Sequence, residues 1–518
     1  MYPPTLHELW TGRMCTQAVI RYLFLLFLTL VKTFIAGNSE QNEIGTFWHI
    51  TDFHVNTTYI IKNTTGYFGD YGRDTSTLVA FTGIEFANDM GYAENKPDFV
   101  VWGGDAAPHD QRQTKEDVLE SLRFLSQHLR YAFDPTEVPL IPIIGNYDVF
   151  PSNTMSPLTE SRQRASWCTR LSIDENLWFA WNEYIKEMRE IHPDIPSFDF
   201  STNCYQALIV QQDPLLVVIG LNSLVWYENN PQANESISDP LGQLSWLRRT
   251  LNAVRGIKAK AIVATHIPIG VHELNAENSV YLKCSYNEQL TQLLREYADV
   301  IITTLASHLH TDTFRVVLDE DYNPVGTLFL GPSVDPFYMK GIGSFNPRLR
   351  QFHYNRKTGV LLDYTQYYLN LSERAPTWQK EYQAREEYGI RNLTAPSMAD
   401  LLDEFTVEND KDGHWGKYWK HHLGGRPHDP VQYFENGECP EAQSVCRCQQ
   451  VCAMRHSEFT ELTQCLSVCN SQPKPIQKTI KQLIHDRLNP SAGNKMTSIT
   501  DLALYGYFVL AMLLWMSV

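Results

Sequence analysis

The 518-residue sequence has no block of Lys or Arg, no internal repeat and no low-complexity stretch. Its formal net charge is −16. Without a basic block there is nothing to neutralise a phosphate backbone, so a nucleic-acid polymer or an anionic membrane surface is excluded as a partner. The C-terminal run "LALYGYFVLAMLLWMSV", Leu502 to Val518, has no charge, and no basic residue follows it as a cytoplasmic flank. That pattern disfavours an ordinary membrane-spanning helix. What remains is a chain with 43% hydrophobic residues, enough for one large domain or two ordinary ones with a sizeable core.

Both ends read as targeting segments. In "RYLFLLFLTLVKTFIAG", Arg21 precedes an apolar run that the small residues Ala36 and Gly37 close. This is the order of a secretory signal peptide over 1–37, with Met14 as an alternative start. A membrane anchor is the rival reading; the run is short for a span, and Lys32 interrupts it. Near the other end, Ser491, Ala492, Gly493 and Asn494 precede the spacer "KMTSITD" and then the apolar tail. Small residues, spacer and tail form a GPI-attachment signal over 491–518, with a C-terminal membrane segment as the alternative. The expected location is extracellular, with the outer cell surface as the membrane partner. Five Asn-x-Ser/Thr sequons, at Asn56, Asn63, Asn234, Asn370 and Asn392, agree with that compartment.

Cysteine is sparse until the C-terminal region, where Cys439, Cys446, Cys448, Cys452, Cys465 and Cys469 crowd together. In an oxidising compartment they are most simply three disulfides, whose pairing spacing does not decide; a zinc site is the rival. Cys168, Cys204 and Cys284 are odd in number, so one of them is expected to be free and buried.

From about 45 to 370, short β-rich runs ("TFWHI", "DFVVW", "PLIPII", "LLVVIG", "KAIVAT", "DVIITTL") alternate with helical patterns such as "DVLESLRFLSQHLRYAF" and "LSWLRRTLNAV". Alternation of this kind predicts an α/β domain. The runs "TFRVVLD", "GTLFLG", "RQFHYN" and "GVLLDYTQYYL" follow one another without helices and are expected to be antiparallel. Residues 375–488, including "PTWQKEYQAREEYG" and "SMADLLDEFT", read as a helical, disulfide-stapled subdomain.

The residues that carry chemistry follow the β-runs: Asp52 and His54, then Asp105 with His109 four further on, then Asn146, His266, and His308 with His310. Singly each has a bland reading: a loop, a Gly-Asn turn, a core histidine. Carboxyl ends of parallel strands converge on one crevice, so five strands would deliver this whole set to one place. Two Asp, one Asn and four His suit two metal ions, because a carboxylate can bridge. Mixed N/O donors without thiolate favour zinc, with manganese or iron as alternatives.

The blocks "HITDFH", "GGDAAPH", "GNYD", "THIP" and "SHLH" resemble the five motifs of calcineurin-like metallophosphoesterases. The flanking text "FWHITDFHVNTTY", "PLGQLSWL" and "ATHIPIG", with the C-terminal cysteines, is similar to the acid sphingomyelinase-like phosphodiesterases over about residues 45–470. The resemblance implies an α/β fold built as a central β-sheet sandwich flanked by helices, with the C-terminal disulfide-stapled helical subdomain. It implies one zinc on Asp52, His54, Asp105 and His310, and a second on Asp105, Asn146, His266 and His308, with Asp105 as bridge. Two metals about 3.5–4 Å apart clamp a phosphodiester and acidify a water. His109 would lie at the phosphate rim.

Two positions depart from the family. Ser307 replaces the glycine of Gly-His-x-His and changes no ligand. Tyr147 stands where the family has the histidine thought to protonate the leaving group, with Asp148 as that position's surviving carboxylate. Acid sphingomyelinase also carries a saposin domain ahead of its catalytic domain. Here only about ten residues separate the predicted cleavage site from "TFWHI". Small phosphodiesters, such as nucleotide or phosphocholine derivatives, are therefore expected ahead of membrane sphingomyelin as substrate. The expected function is a secreted or GPI-anchored, dinuclear-zinc phosphodiesterase. The alternative is a catalytically weak cell-surface binding protein that keeps the metal site.

Overall fold

A computed structural model describes residues 43–470, apart from 61–67, 94–95, 111, 136, 159–166, 169–194, 196–199, 274–275, 277–279, 340–342, 407–412 and 425–444. The signal segment, Cys15, Asn63, Cys439 and the C-terminal tail lie outside the described residues. Twelve strands build two sheets. In chain order they are β1 (Ile44–Ile50), β2 (Phe99–Trp102), β3 (Leu140–Pro142), β4 (Gln206–Gln212), β5 (Leu215–Gly220), β6 (Lys260–Ala264), β7 (Ile301–Ala306), β8 (Thr313–Leu318), β9 (Pro324–Leu330), β10 (Arg348–Asn355), β11 (Leu361–Leu369) and β12 (Trp378–Gln383). The helices include α1 (Thr77–Ala93), α2 (Lys115–Ala132), α3 (Gln243–Gly256), α4 (Cys284–Glu296), α5 (Ala384–Tyr388), α6 (Ala395–Glu404), α7 (His414–His422), α8 (Val445–Arg455) and α9 (Phe459–Asn470).

The first sheet runs β12-β11-β10-β1-β2-β3 and the second β8-β9-β7-β6-β5-β4. β1, β2 and β3 are parallel to one another, as are β5, β6, β7 and β9. Their sequences are nearly unbroken apolar runs because both faces are covered: "FVVW" in β2 is buried at every position. Phe47 of β1 stacks between Phe99 (4.5 Å) and Phe352 (5.0 Å) on neighbouring strands. Such cross-strand aromatic pairs fix register. Phe329 of β9 meets Phe352 of β10 edge-on at 5.6 Å, which joins the two sheets face to face. α1 covers the outer side of the first sheet, where Phe86 packs against Tyr367 and Trp378. α2 begins at a capping box, in which Thr114 and Asp117 satisfy each other's backbone amides.

The expected antiparallel pairing holds for β8 with β9 and for β10 with β11, and β9 has a second, parallel neighbour in β7. Two expectations need correction. "PTWQKEYQAREEYG" is not one helix, because Trp378–Gln383 forms edge strand β12 on β11 before α5 begins. Pairing with an open sheet edge, and packing of Trp378 against Phe86, override the helical spacing. The free cysteine, Cys284, is exposed rather than buried; Cys168 and Cys204 pair with each other.

In the C-terminal region Cys448–Cys469 and Cys452–Cys465 staple α8 to α9, and Cys446 is also disulfide-bonded. Oxidised sulfurs remove the thiolates that a zinc site there would need. These helices pack beside the chain that follows His266. Asn287 receives the Gly270 amide (2.7 Å) and donates to Ser457 O (2.8 Å). Arg315 and Glu273, both fully buried, pair at 2.9 Å in the same seam.

Candidate metal centre

The seven expected ligands follow β1, β2, β3, β6 and β7, and the structure brings them to one edge shared by both sheets. Asp52, His54, Asp105, His308 and His310 all hold left-handed backbone, with φ between 42° and 76°. That region costs a non-glycine residue of order 1–3 kcal/mol and persists where surrounding structure enforces it. Half of the ten such residues among the described ones fall in this cluster. Two glycines make the close approach possible. A Cβ on Gly145 would sit 2.2 Å from Asp105 Oδ1, and Gly104 (φ 95°) passes directly against the Gly145 backbone.

Asp105 lies at the middle. Its Oδ2 is 3.1 Å from His266 Nε2 and 3.5 Å from His54 Nε2. The ligating atoms of Asp105, His266 and His308 all lie within 4.8 Å of one another, as do those of Asp52, His54 and Asp105. Asp105 belongs to both groups. Asn146 Oδ1 is 3.0 Å from His266 Nε2, and its amide nitrogen donates to Asn153 Oδ1 at 2.9 Å, which fixes the oxygen toward the cluster. His310 Nε2 is 3.6 Å from Asp52 Oδ1.

The tautomers are set from outside. His54 Nδ1 donates to Ala107 O (2.8 Å) and His266 Nδ1 to Gly103 O (2.7 Å), so each presents Nε2 inward. Thr51 Oγ1 donates to Asp52 Oδ2 at 2.8 Å, and the His308 amide donates to Asp52 at 3.2 Å. Ser307 closes over Gly103, where any Cβ would lie 2.3 Å from the serine hydroxyl. The serine is thus accommodated by the glycine opposite.

Burial dominates the electrostatics. It pushes Asp52 up to about 7 and lowers His54 and His308 to about 3. Burial also pulls His266 down, but the Asp105 charge beside it wins and raises it to about 9. Burial works against the ionised form of Asp105, yet His266 and His54 hold it well below the usual carboxylate range. A buried cluster of carboxylates and imidazoles is costly unless a cation completes it. His54 Nε2 is buried with no hydrogen-bond partner, and the donor set contains only N and O. The residues therefore fit a divalent-metal centre of the zinc, manganese or iron type.

The other expected site residues border this cluster. His109 stacks on His54 at 3.7 Å and on Phe337 at 4.2 Å, and its Nδ1 lies 2.7 Å from Asp74 Oδ1. Tyr147 packs edge-on against His109 (4.8 Å) and His54 (5.2 Å), and its amide donates to Asp105 Oδ1 at 2.7 Å. Burial first, then the Asp105 charge, pushes its phenol up to about 12. Asp148 spends both oxygens on backbone amides: Asp105 (2.9 Å), Gly145 (2.7 Å) and Ala106 (2.7 Å). It ties the β2 and β3 turns together, a structural task for this carboxylate.

Two residues escaped the sequence reading. Asp74 sits in a loop with no strand before it, so nothing in its surroundings pointed to the site. Asp335 follows β9 and obeys the same strand-end rule as the others; β9 is antiparallel to β8 as expected, and its second, parallel pairing with β7 is what the sequence hid. It is fully buried, its Oδ2 has no hydrogen-bond partner, and burial raises its carboxyl well above the ordinary range.

Residues 45–312 match the family model for calcineurin-like phosphoesterases, and residues 323–472 match that for the acid sphingomyelin phosphodiesterase C-terminal region. The chain is 27% identical over 456 residues to human (Homo sapiens) cyclic GMP-AMP phosphodiesterase SMPDL3A, covering 83% of this chain and 92% of that protein. It is 28% identical over 458 residues to human acid sphingomyelinase-like phosphodiesterase 3b, covering 84% and 92%. With sphingomyelinase phosphodiesterase C of Dictyostelium discoideum it shares 27% over 480 residues, covering 86% and 98%. With a strand-end ligand cluster of this kind, and family matches on both sides of it, the chain belongs to the calcineurin-like phosphoesterases and, within them, to the acid sphingomyelinase-like phosphodiesterases.

Proposed function

We propose that the protein is a dinuclear-zinc phosphodiesterase acting on small phosphodiesters, delivered through the secretory pathway and held at the outer cell surface by a glycolipid. The carrying observation is Asp105, whose carboxylate is shared by two groups of ligating atoms. Asp52, His54, Asp105 and His310 would hold one ion and Asp105, Asn146, His266 and His308 the other. Bound there, the pair would supply Lewis acidity toward a phosphoryl oxygen and a water of lowered pKa.

The protein's own groups do the rest. Asn153 and the carbonyls of Gly103 and Ala107 hold the ligands in register. His109, clamped by Asp74 and Phe337, stands at the rim where a phosphoryl oxygen enters. Tyr147 beside it is a hydrogen-bond donor but a weak acid. Substrates whose leaving group needs little protonation, such as nucleotide or phosphocholine pyrophosphate-type diesters, suit that pair better than an alkoxide does. The names of the relatives include a cyclic GMP-AMP phosphodiesterase and a sphingomyelinase phosphodiesterase.

The disulfides support an oxidising compartment. No helix among the described residues is long and apolar enough to cross a membrane. Elemental analysis of the purified protein should give two equivalents of metal, and a panel of phosphodiesters should be hydrolysed in a chelator-sensitive way. Metal-loaded protein inert on every diester would favour the binding-protein reading. Phosphatidylinositol-specific phospholipase should release the protein from cells; retention would reject the glycolipid.

A further inference from the structure

Asp335 and His310 face each other with complementary needs. Asp335 Oδ2 and His310 Nδ1 are both buried, both lack a hydrogen-bond partner, and lie 3.7 Å apart. We propose that Asp335 is the positioning residue for His310: its unpartnered Oδ2 is the acceptor for the Nδ1 proton, which leaves the Nε2 lone pair facing Asp52. This rests on the two-ion reading above and adds a residue to it.

Three observations carry the assignment. His54 and His266 already have Nδ1 acceptors, the carbonyls of Ala107 and Gly103, whereas His310 has none unless Asp335 serves. His109 Nδ1 also lies 3.8 Å from Asp335, but Asp74 occupies it at 2.7 Å. Finally, the backbone ties this segment to both ligand loops. The Asp335 amide donates to Asp52 O (3.1 Å), Val334 to Thr51 O (3.2 Å) and Ser333 to His310 O (3.3 Å). The carboxylate is therefore held in place from the same turns it serves. A role as a direct ligand would require His310 to turn Nδ1 inward and would take Nε2 away from Asp52, 3.6 Å distant. The pattern is a carboxylate–histidine–metal relay, in which the outer carboxylate fixes the tautomer and raises the basicity of the ligand.

The test is metal affinity, read by competition of the full-length protein with a chromogenic chelator. Asp335→Asn should weaken one of the two ions by about 10–100-fold and leave the other unchanged. In a His310→Ala background the same substitution should change nothing further, whereas a residue that only props up the fold would weaken binding there as well. If Asp335→Asn does not accumulate as folded protein, Asp335→Glu, which keeps the charge but displaces it, should show the same one-ion loss. Wild-type affinity for both ions in the folded Asn or Glu variant would overturn the inference. Wild-type protein that binds no metal would overturn the two-ion reading itself.

Discussion

Replacing Tyr147 with histidine should turn a leaving-group-selective enzyme into a broader one. The phenol is pushed up to about 12, so it holds its proton too tightly to follow a departing alkoxide. An unperturbed histidine, near 6.5, is matched to neutral pH. General acid catalysis is worth about 10²–10⁴-fold, or about 2.7–5.4 kcal/mol at 1.36 kcal/mol per tenfold. The gain here should fall at the lower end. The His109 ring is 4.8 Å from the Tyr147 ring, with Asp74 2.7 Å from its Nδ1, so one imidazole already borders this position. An imidazole is smaller than a phenol and contacts the same two neighbours, so it enters without repacking. The assay compares wild type, Tyr147→His and Tyr147→Phe on an alkyl phosphodiester and on a nitrophenyl diester. Histidine should raise the alkyl rate by about 10²-fold and barely move the nitrophenyl rate, which needs little protonation. Phenylalanine should behave like the wild type on both. Equal gains on the two esters would refute the leaving-group account, and loss of activity in Tyr147→Phe would show that the hydroxyl itself is essential.

The structure sets further expectations. Asp105→Asn should lose both ions and Asn146→Ala only one, counted by elemental analysis, because only Asp105 belongs to both ligand groups. Metal affinity should climb as pH rises toward about 9 and then level off, with a proton released on binding that calorimetry in two buffers detects; burial disfavours the charged His266, but Asp105 raises it to about 9, and metal needs the neutral ring. The sign for the apo-protein is opposite. A raised histidine stabilises it fully below about 6.5, and that contribution is lost as pH rises through about 9, so chelator-treated protein should melt progressively lower across that window. Glu273→Gln strands the buried Arg315 guanidinium and should cost about 3–5 kcal/mol in urea unfolding, whereas a change within about 0.5 kcal/mol would mean the pair is not desolvated as the structure shows.

Much of the fold was legible because its parallel strands are buried on both faces. Runs such as "DFVVW" and "KAIVAT" have no polar alternation and are bounded by turn residues, so composition alone exposes them. Helix α2 was equally plain, with apolar residues at three- and four-residue spacing; its Thr114–Asp117 capping box is added by the structure. Strand β12 was not. Its residues, "WQKEYQ", carry charge and helix-forming types, and only the open edge of β11 makes them a strand. The second, parallel partner of β9 was hidden for a related reason. Parallel and antiparallel strands differ in their neighbours, not in their own sequence, and β9 lies beside β7 rather than following a helix.

At the site, the sequence pointed to the atoms that face inward, while the residues that aim them were read only in part. Asp, Asn and His at strand ends are visible as types and positions, and five left-handed backbones show how tightly the turns must curl to deliver them. What orients those side chains comes mostly from main-chain groups: the carbonyls of Gly103 and Ala107, which any residue could supply. Such partners leave no mark in composition or spacing. Asp148 shows the converse. Its type invited a catalytic reading, yet both its oxygens are bound to amides of the turns that carry Asp105 and Asn146. Asp74 and Asp335, unremarkable in sequence, are the carboxylates left to face the histidines. A carboxylate's role here is decided by which donors the fold places around it. That is why the inner cluster of Asp, Asn and His is easier to find from motifs than the residues around it, and why the acid side of the chemistry, at Tyr147 and His109, has to be argued from contacts.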